Sequence, residues 1–488
     1  MRNNGFNKNK VPTINYVSEL TGSGKTEYII NKIADEVTYG DEYFLIVTPN
    51  RTLCDEIYSR FFILDNFNDE CVMNIHQKSV ENPSSELKTR LRNKTRNVLI
   101  TTHASFILGV RSTQMLDDWN LIMDEEMSLY KEHEINVTKP TVDILNSTIT
   151  YKEYDSNFYR IEASNVLLWM NIANETIKDS FLHNNDYTDM VKHVMNDKFV
   201  TLVSQHNYEK FVEYNDEMDD NGKRFSKFYA MSFINIDFFN QFKTVTVISS
   251  FFEKTISYKL LQEFGCNMKK VSVPTYFSKH PNSDKITLHY FFEKNWSTHL
   301  RKSKVNRQKT MEELIYDKLI SLIGDKPFLY NANVSFRSMF SKGTLAISTH
   351  GINRYKGYSE LVFMPSLNAT SSIVSILSNF GLNRHDIDFS RNVLSAYQFV
   401  SRGAIRDLNN SKDVNIYVMD RRTVDFLKTV FPDAKVEYHE TEIGQQDQSK
   451  IPNNVKSFIS RVKKRLNNGD TIRDKTLTKY NHYLEKYY

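Results

Sequence analysis

The stretch Leu20-Thr21-Gly22-Ser23-Gly24-Lys25-Thr26 decides how the rest of this chain is interpreted. It follows an apolar run, Ile14 to Leu20, that suits a buried strand, and it opens a segment that can form a helix. Gly22 and Gly24 can adopt backbone conformations that other residues avoid, so successive N–H groups can turn inward around a phosphate. The helix N-terminus adds favourable partial charge. The sequence therefore predicts a phosphate-binding loop between a strand and a helix.

The residues of this loop predict both a ligand and a cofactor. Lys25 would pair with the β- and γ-phosphates of ATP, and the Thr26 hydroxyl would ligate Mg²⁺. A coincidental glycine turn is the alternative. The predicted nucleotide-binding residues are Thr21, Gly22, Ser23, Gly24, Lys25, Thr26 and, from the next motif, Asp124.

A second motif, NLIMDEE at residues 120–126, ends an apolar run with carboxylates. Such a run places Asp124 and Glu125 at the C-terminal edge of a parallel sheet, where α/β proteins bind ligands. We expect Asp124 to hold Mg²⁺ together with Thr26, and Glu125 to orient and deprotonate an attacking water. The alternatives are an acidic helix start and a register in which Glu126 takes this role.

Apolar runs with β-branched residues recur along the chain and alternate with possible helices, which predicts an α/β protein with two doubly wound parallel sheets. The run Thr244 to Ser250 could return to the first sheet. The predicted strands of the first sheet are Ile14–Leu20, Tyr43–Val47, Asn97–Thr101 and Asn120–Asp124. The second block contains predicted strands at Lys285–Phe292, Pro327–Asn331, Thr344–Thr349, Glu360–Met364 and Asn415–Asp420, with helices at Thr310–Ile323 and Ser371–Ser378.

These patterns divide the 488 residues into five predicted segments. They are a first phosphate-loop domain at 1–130, an inserted subdomain at 131–241, a return to the first domain at 242–275, a second domain at 276–435 and a C-terminal extension at 436–488. The insertion is aromatic and polar, with an exposed loop expected at Asn215 to Gly222. The extension is basic, because residues 450–488 hold ten basic and three acidic side chains.

Composition excludes several classes of protein. The 63 basic and 59 acidic residues give a net charge of only +4, so overall charge identifies no partner. No apolar run approaches the length of a membrane span, and the start lacks a signal-type run, so we expect a cytoplasmic protein with no membrane partner. The three cysteines, Cys54, Cys71 and Cys266, have no CxxC spacing, which argues against a disulfide framework and a cysteine zinc site.

With these motifs the chain resembles the superfamily 2 helicases and translocases, which include the DEAD-box and DEAH-box proteins. The segments that carry the resemblance are Glu19–Thr26 for the first motif, Asp124–Met127 (DEEM) for the DExx box, Thr48–Leu53 for the PTRxL element, Thr101–His103 for a strand contact, Ser249–Phe251 for Ser-Ala-Thr, Ser348–Phe363 for the fifth motif and Gln398–Arg406 for the sixth. Together they span roughly residues 14 to 430.

The resemblance implies two RecA-like parallel-sheet domains, with a large insertion in the first and a basic C-terminal extension, that hydrolyse ATP between them. All motifs lie outside residues 131–241, so the insertion should not be needed for ATP turnover. The sixth motif reads QxxSRxxxR instead of QxxGRxxR, and either Arg402 or Arg406 could reach the γ-phosphate. A helix through both arginines would align them with Gln398 on one polar stripe. The predicted catalytic residues are Lys25, Glu125, Gln398, Arg402 and Arg406.

The resemblance also implies a nucleic-acid partner, and we expect DNA to be slightly favoured over RNA. The abundance of Asn, Lys, Ile, Tyr and Phe suits an AT-rich genome such as a viral one, in which case the expected setting is the host cytoplasm. Sequence-independent binding needs cations and backbone donors along the phosphates, with aromatic faces for the bases. A capping or core role is the alternative for His103, and a solvated face is the alternative for the basic tail. The predicted contacts are Thr48, Asn50, Arg51, Thr102, His103, Arg354 and Lys356.

Two other functions compete with an ATP-driven helicase or translocase. A genome-packaging, terminase-like ATPase would need a nuclease-type acidic cluster in the second half, where Asp386 and Asp388 lie near one another. A nucleotide-switched nucleic-acid-binding protein would need no hydrolysis, and Glu125 argues against it. The pair Gln398 and Arg402 favours the motor.

Overall fold

The structure is a computed structural model. It describes residues 11–65, 67–110, 116–137, 139–173, 185–212, 227–305, 309–340, 345–346, 355–441, 453–467, 476–477, 479–480 and 483. The loop predicted at Asn215 to Gly222 lies outside these residues, as does Arg354.

The chain begins as a regular alternation of parallel strands and helices. Buried apolar residues fill the central strands, as in β2 and β4, whose residues Phe44–Thr48 and Val98–Thr101 are all buried. The elements are β1 (Thr13–Val17), α1 (Lys25–Tyr39), β2 (Tyr43–Thr48), α2 (Arg51–Phe61), β3 (Val72–Ile75), α3 (Pro83–Asn93), β4 (Val98–Thr102), α4 (His103–Gly109) and β5 (Leu116–Asp124).

The insertion follows β5 and forms its own antiparallel sheet of five strands, in the order β6-β10-β9-β8-β7. Its elements are β6 (Tyr130–Asn136), α5 (Lys139–Thr148), β7 (Ile149–Glu153), β8 (Phe158–Ala163), α6 (Val166–Ala173), α7 (Asn185–Val194), β9 (Phe199–Ser204), α8 (Gln205–Val212) and β10 (Lys227–Ile234).

The chain then returns to the first sheet through β11 (Phe242–Ile248), α9 (Ile256–Glu263) and β12 (Asn267–Lys270). The sheet has seven parallel strands in the order β12-β1-β11-β5-β2-β4-β3. The prediction that Thr244 to Ser250 rejoins this sheet is confirmed, because β11 pairs with both β1 and β5. The sequence did not predict β3 or β12, which are short edge strands.

The second unit is a six-stranded parallel sheet in the order β17-β16-β18-β19-β13-β20, so the α/β prediction of two parallel-sheet, RecA-like domains is confirmed. Its elements are β13 (Ile286–Tyr290), α10 (Thr298–Lys302), β14 (Lys304–Val305), β15 (Lys309–Thr310), α11 (Met311–Ile323), β16 (Phe328–Asn331), β17 (Leu345–Ala346), β18 (Glu360–Phe363), α12 (Ser371–Ser378), α13 (Arg384–Asp388), α14 (Leu394–Val400), β19 (Val414–Val418), α15 (Arg421–Val430) and β20 (Lys435–Tyr438). A basic helix, α16 (Asn453–Asn467), follows.

The boundary predicted between residues 435 and 436 cuts through β20. This strand pairs in parallel with β13 over four residues, so it belongs to the second sheet. The C-terminal extension therefore starts later than predicted.

The insertion shares its core with the first sheet and with helix α12 of the second domain. Phe199 and Phe233 of the insertion belong to the same buried cluster as residues of the first sheet and of α12. The Phe380 ring, which follows α12, lies 5.4 Å from Phe158 and 4.8 Å from Phe233, both in the insertion, and 5.6 Å from Phe264 of the first domain. The expectation that ATP turnover can do without the insertion stays a prediction, and this shared packing argues against it, because removing the insertion would expose buried residues of the first domain.

We expect Phe380→Ala to lower the free energy of unfolding by about 3–5 kcal/mol, because Phe380 is 8% exposed and its removal leaves a cavity among three aromatic rings. Urea unfolding measures this value. The matched control is Tyr39→Ala, since Tyr39 is 86% exposed and its loss should change stability by at most about 0.5 kcal/mol. Equal losses in the two variants would contradict the shared core.

Candidate ATP and nucleic-acid site

The loop between β1 and α1 has the backbone conformation that phosphate binding requires. Gly22 and Gly24 have φ angles of +82° and +95°, and Gly24 caps α1. A Cβ atom on Gly24 would also lie 2.8 Å from the ring of Tyr276. Both the conformation and the close approach therefore require glycine at this position.

Lys25 is buried at the centre of this loop. Its Nζ donates to the backbone oxygens of Glu19 and Leu20, at 2.8 and 2.7 Å, and to the Ser250 Oγ at 3.1 Å. Burial lowers the pKa of Lys25 to about 8, although the nearby carboxylates of Glu125 and Asp124 act in the opposite direction. A bound phosphate would place a compensating negative charge beside this buried ammonium group.

The predicted magnesium ligands lie side by side. The Thr26 hydroxyl donates to Asp124 Oδ1 at 3.0 Å, across the gap between the start of α1 and the end of β5. Burial, and then the charge of Glu125, raise the pKa of Asp124 to about 7. A hard divalent cation bound by this hydroxyl and carboxylate would favour the ionised form of Asp124.

The structure distinguishes Glu125 from Glu126. Glu125 has a positive φ of +73°, and its side chain extends across the cleft to the second domain. There Gln398 Nε2 donates a hydrogen bond to the Glu125 carboxylate at 3.2 Å, and Arg402 Nη2 lies 3.5 Å from it. Glu126 points elsewhere and accepts a hydrogen bond from the Ser257 N–H at 3.2 Å. The geometry therefore favours Glu125 over Glu126 for the water-orienting role.

The predicted polar stripe through the sixth motif is wrong. Helix α14 ends at Val400, and a separate 3₁₀ turn covers Ala404–Arg406, so no continuous helix joins Arg402 to Arg406. The helix is broken at Gly403, whose backbone is extended, with φ of −79° and ψ of −158°. Gly403 also packs closely on Leu361, since a Cβ atom there would be 2.5 Å from that side chain.

Arg402 and Arg406 consequently have different surroundings. Arg402 is 3% exposed and lies between Glu125 and Gln398 Oε1, which is 3.4 Å from its Nη2. Arg406 lies over the phosphate loop, with its Cγ 3.7 Å from the position of a Cβ on Gly22. Burial and then repulsion from Arg402 lower the pKa of Arg406 to about 10.

Both arginines border a cavity of about 400 Å³ between the two domains, beside the phosphate loop. Two buried polar atoms at this loop, Arg406 Nη1 and Ser23 Oγ, have no hydrogen-bond partner among the described residues. Unpartnered donors are costly to bury. Together with Lys25 they fit an anionic, phosphate-bearing ligand. The cavity is lined by Thr21, Gly22, Gly24, Lys25, Thr26, Asp124, Glu125, Lys356, Arg402 and Arg406, among others.

Two further aromatic residues reach the phosphate loop, and the sequence analysis missed both. Tyr397 of the second domain accepts a hydrogen bond from the Thr21 N–H at 2.9 Å. Tyr276, in the segment that joins the domains, donates its N–H to the Ser23 carbonyl at 2.8 Å and covers Gly24. Tyr397 directly precedes Gln398 and could have been noticed, whereas no sequence signal marks Tyr276.

The predicted nucleic-acid contacts of the first domain follow two neighbouring strands, since Thr48 pairs with Thr102 at the ends of β2 and β4. Thr48 is fully buried and its hydroxyl donates to the Asn50 carbonyl, so its assignment as a contact is corrected. Asn50 and Thr102 cap α2 and α4 by accepting from the N–H groups of Leu53 and Ser105. Both caps are partly accessible.

Of the remaining predicted contacts, Arg51 is exposed on the first turn of α2 and His103 is half-buried at the start of α4. Lys356 lines the cavity beside the phosphate loop, a position that favours a phosphate-facing role over the predicted strand contact.

Residues 13–149 match the family model described as DEAD/DEAH box helicase. The matched segment contains the phosphate loop, the DEE motif and the caps at Asn50 and Thr102. The resemblance to superfamily 2 helicases is thereby confirmed. A comparison with curated protein sequences gives no significant match.

Solved helicase structures are similar to this chain only at a low level. Mss116p bound to ssRNA and AMP-PNP is 10% identical, with 93% of this chain and 77% of that chain covered and a TM-score of 0.36. S. cerevisiae Dbp5 bound to RNA and ADP BeF3 is 13% identical, with coverages of 90% and 87% and a TM-score of 0.36. RecG bound to a three-way DNA junction is 12% identical, with coverages of 86% and 42% and a TM-score of 0.33. Similarity this low establishes neither activity nor substrate for this chain.

In the described part of the chain, no helix has both the length and the apolar character needed to cross a membrane.

We expect Arg406→Ala to lower the kcat for ATP by at least about a hundredfold with little change in KM, because a guanidinium at the phosphates acts mainly on the transferring phosphoryl group. Arg406→Lys should also fail, since an ammonium lacks the planar fork. Steady-state phosphate release measures both. The control is Arg92→Ala on an exposed position of α3. Wild-type turnover in both Arg406→Ala and Arg402→Ala would show that the second domain does not complete the site.

Proposed function

From the helicase domain at residues 13–149, we propose that this chain is an ATP-driven helicase or translocase. It would hydrolyse ATP in the cleft between its two parallel-sheet domains and use the cycle to move along, or to separate, strands of nucleic acid. One observation carries the proposal: Glu125 of the first domain meets Gln398 and Arg402 of the second directly beside the phosphate loop.

Each buried charge of the cleft has a role in this reaction. Lys25 and the N–H groups of the loop would hold the phosphates, and Arg406 would stabilise the charge that develops on the γ-phosphoryl group. Mg²⁺, held by Thr26 and Asp124, would neutralise phosphate charge. Glu125 would orient the attacking water and accept its proton, and Gln398 and Arg402 would fix the carboxylate in place.

The structure offers a route from nucleotide binding to the second domain. In this structure the Ser250 Oγ lies 3.1 Å from Lys25 Nζ and 2.9 Å from Thr21 Oγ1. The next residue, Phe251, packs its ring at 5.2 Å from both Tyr397 and Phe426 of the second domain. When Lys25 turns to a phosphate, its contact with Ser250 must change. We infer that this change is passed to the second domain through Phe251.

The nucleic acid would lie along the C-terminal edge of the first sheet. Asn50 and Thr102 place the N-termini of α2 and α4 at this edge, and helix N-termini with their free N–H groups suit phosphates. Arg51 adds an exposed cation there. The preference for DNA over RNA stays a prediction, since these contacts address the phosphate backbone that both share.

The competing functions have less support. Asp386 forms an ion pair with Lys259 at 2.6 Å, and Asp388 lies 3.6 Å from Arg384. Neither belongs to a group of three potential metal ligands among the described residues, as a packaging nuclease would need. A switch without hydrolysis would not need Glu125 held between Gln398 and Arg402.

We expect Glu125→Gln to bind ATP and to lose turnover, because the amide keeps the shape of the side chain but cannot accept a proton. Nucleotide binding by fluorescence and phosphate release separate the two effects. Glu126→Gln is the matched control, since its side chain faces Ser257 and should leave turnover unchanged. The reverse outcome, with only Glu126→Gln inactive, would move the catalytic register by one residue.

We expect Arg51→Ala to raise several-fold the concentration of single-stranded nucleic acid that half-maximally stimulates ATP hydrolysis, with the unstimulated rate unchanged. The loss of one phosphate contact should also weaken the salt dependence of this stimulation. Single strands of DNA and RNA of one sequence, tested side by side, decide the predicted preference for DNA. Lys32→Ala, at an exposed cation on α1, is the control, and an equal effect in both variants would argue against the proposed edge.

A further inference from the structure

Two histidines and a glutamate come together at the far edge of the second sheet, away from every residue assigned above. His289 lies on β13, and Glu437 lies opposite it on β20, the edge strand. His439 directly follows β20. One ligand atom from each of the three side chains lies within 4.8 Å of the other two.

The distances fit a shared ligand. His289 Nδ1 lies 2.9 Å from His439 Nε2 and 3.4 Å from a carboxylate oxygen of Glu437. With metal–ligand bonds of about 2.0–2.2 Å, these separations correspond to angles of about 90° and about 110° at a central ion. A small rotation of the half-buried His439 ring would direct its lone pair at that ion.

The surrounding hydrogen bonds determine which nitrogen of His289 is free to bind. The Glu360 carboxylate accepts from Lys326 Nζ and from Asn415 Nδ2, both at 3.0 Å, which fixes the orientation of the Asn415 amide. Asn415 Oδ1 then faces His289 Nε2 at 3.1 Å and must accept its proton. In the neutral ring the proton is therefore on Nε2, and His289 Nδ1 presents its lone pair to His439 and Glu437.

This arrangement has the features of a metal-binding histidine. A ligating histidine usually donates its other ring N–H to a fixed oxygen, which holds the ring in orientation. Here Asn415 and Glu360 supply that support, and the Tyr417 ring stacks on His289 at 4.5 Å with an angle of 14° between the planes. His289 is 7% exposed, so its ring has little freedom to move.

We propose that His289 Nδ1, His439 Nε2 and the Glu437 carboxylate bind a divalent transition-metal ion of the Zn²⁺ class. The ion would replace the proton that the two imidazoles share. Two imidazoles and one carboxylate suit Zn²⁺, Co²⁺ or Ni²⁺, whereas Mg²⁺ and Ca²⁺ prefer oxygen ligands alone. The site is therefore chemically distinct from the magnesium ligands Thr26 and Asp124.

A metal here would secure the edge of the second sheet. All four residues of β20 are exposed, so the strand has little apolar burial to hold it against β13. An ion bound by both strands would cross-link them just before the basic C-terminal extension. Metal binding would then stabilise β20 without changing the ATP site.

A second cluster, His133, Asp189 and His193 in the insertion, is a weaker candidate. Lys131 Nζ lies 3.2 Å from the Asp189 carboxylate and already neutralises it. His193 Nδ1 lies 2.7 Å from the Asp189 carbonyl, which takes up one of its two nitrogens. This cluster provides a comparison for the experiment.

The test uses the full-length protein without a histidine tag, freed of metal by a chelator and titrated with ZnCl₂ against a chromophoric chelator. We expect one tight equivalent in the wild type, and a loss of at least about tenfold in affinity in His439→Ala and in Glu437→Gln. Co²⁺ should give visible absorption bands of a nitrogen- and oxygen-bound ion that are absent in His439→Ala. Because His439 and Glu437 lie at an exposed edge, the circular dichroism spectra and the ATPase activities of both variants should match those of the wild type.

Hydrogen exchange provides a second measurement. Zn²⁺ should slow amide exchange in residues 435–438 of the wild type and leave His439→Ala unchanged. The proposal is overturned if the wild type binds no Zn²⁺ at micromolar concentrations, or if His439→Ala retains the wild-type affinity. It is also overturned if His193→Ala, and not His439→Ala, removes the bound equivalent.

Discussion

The burial of opposite charges at one edge of the first sheet is the constraint on which the rest of the structure depends. Lys25, Asp124 and Glu125 come from the ends of neighbouring elements, and Arg402 and Arg406 approach them from the second domain. Buried charges are stable only when partners surround them. The pKa values of Lys25 and Asp124 shift towards each other, to about 8 and about 7, because burial disfavours both charged forms. A phosphate and its cation would relieve both costs at once.

The contacts that the two domains make directly at the phosphate loop include polar ones, such as Glu125 with Arg402 and Tyr397 with the Thr21 N–H. Polar contacts can be exchanged for contacts with a nucleotide at small net cost, whereas a packed apolar interface could not open. The linker residue Tyr276, laid over Gly24, keeps the connection between the domains in contact with the ligand site.

The insertion gives the molecule a second interface of a different kind. Phe380 packs among Phe158, Phe233 and Phe264, and Arg391 forms an ion pair with Glu132 of the insertion. Apolar packing of this kind favours one relative position of the insertion and α12. Motion between the sheets must therefore either carry the insertion along with the second domain or break this packing. The insertion is thus placed to limit how far the cleft can open.

The sequence by itself determined the features that depend on neighbouring residues. The phosphate loop, the Asp124-Glu125 pair and most buried strands could be predicted, because a glycine pattern or an apolar run acts over a few residues. Only the tertiary structure decided what depends on distant contacts. It broke the helix between Arg402 and Arg406 at Gly403, buried Thr48, and brought Tyr276 and Tyr397 to the phosphate loop. It also paired His289 with His439 across 150 residues. No local pattern encodes such contacts, because they arise from how whole strands and helices pack.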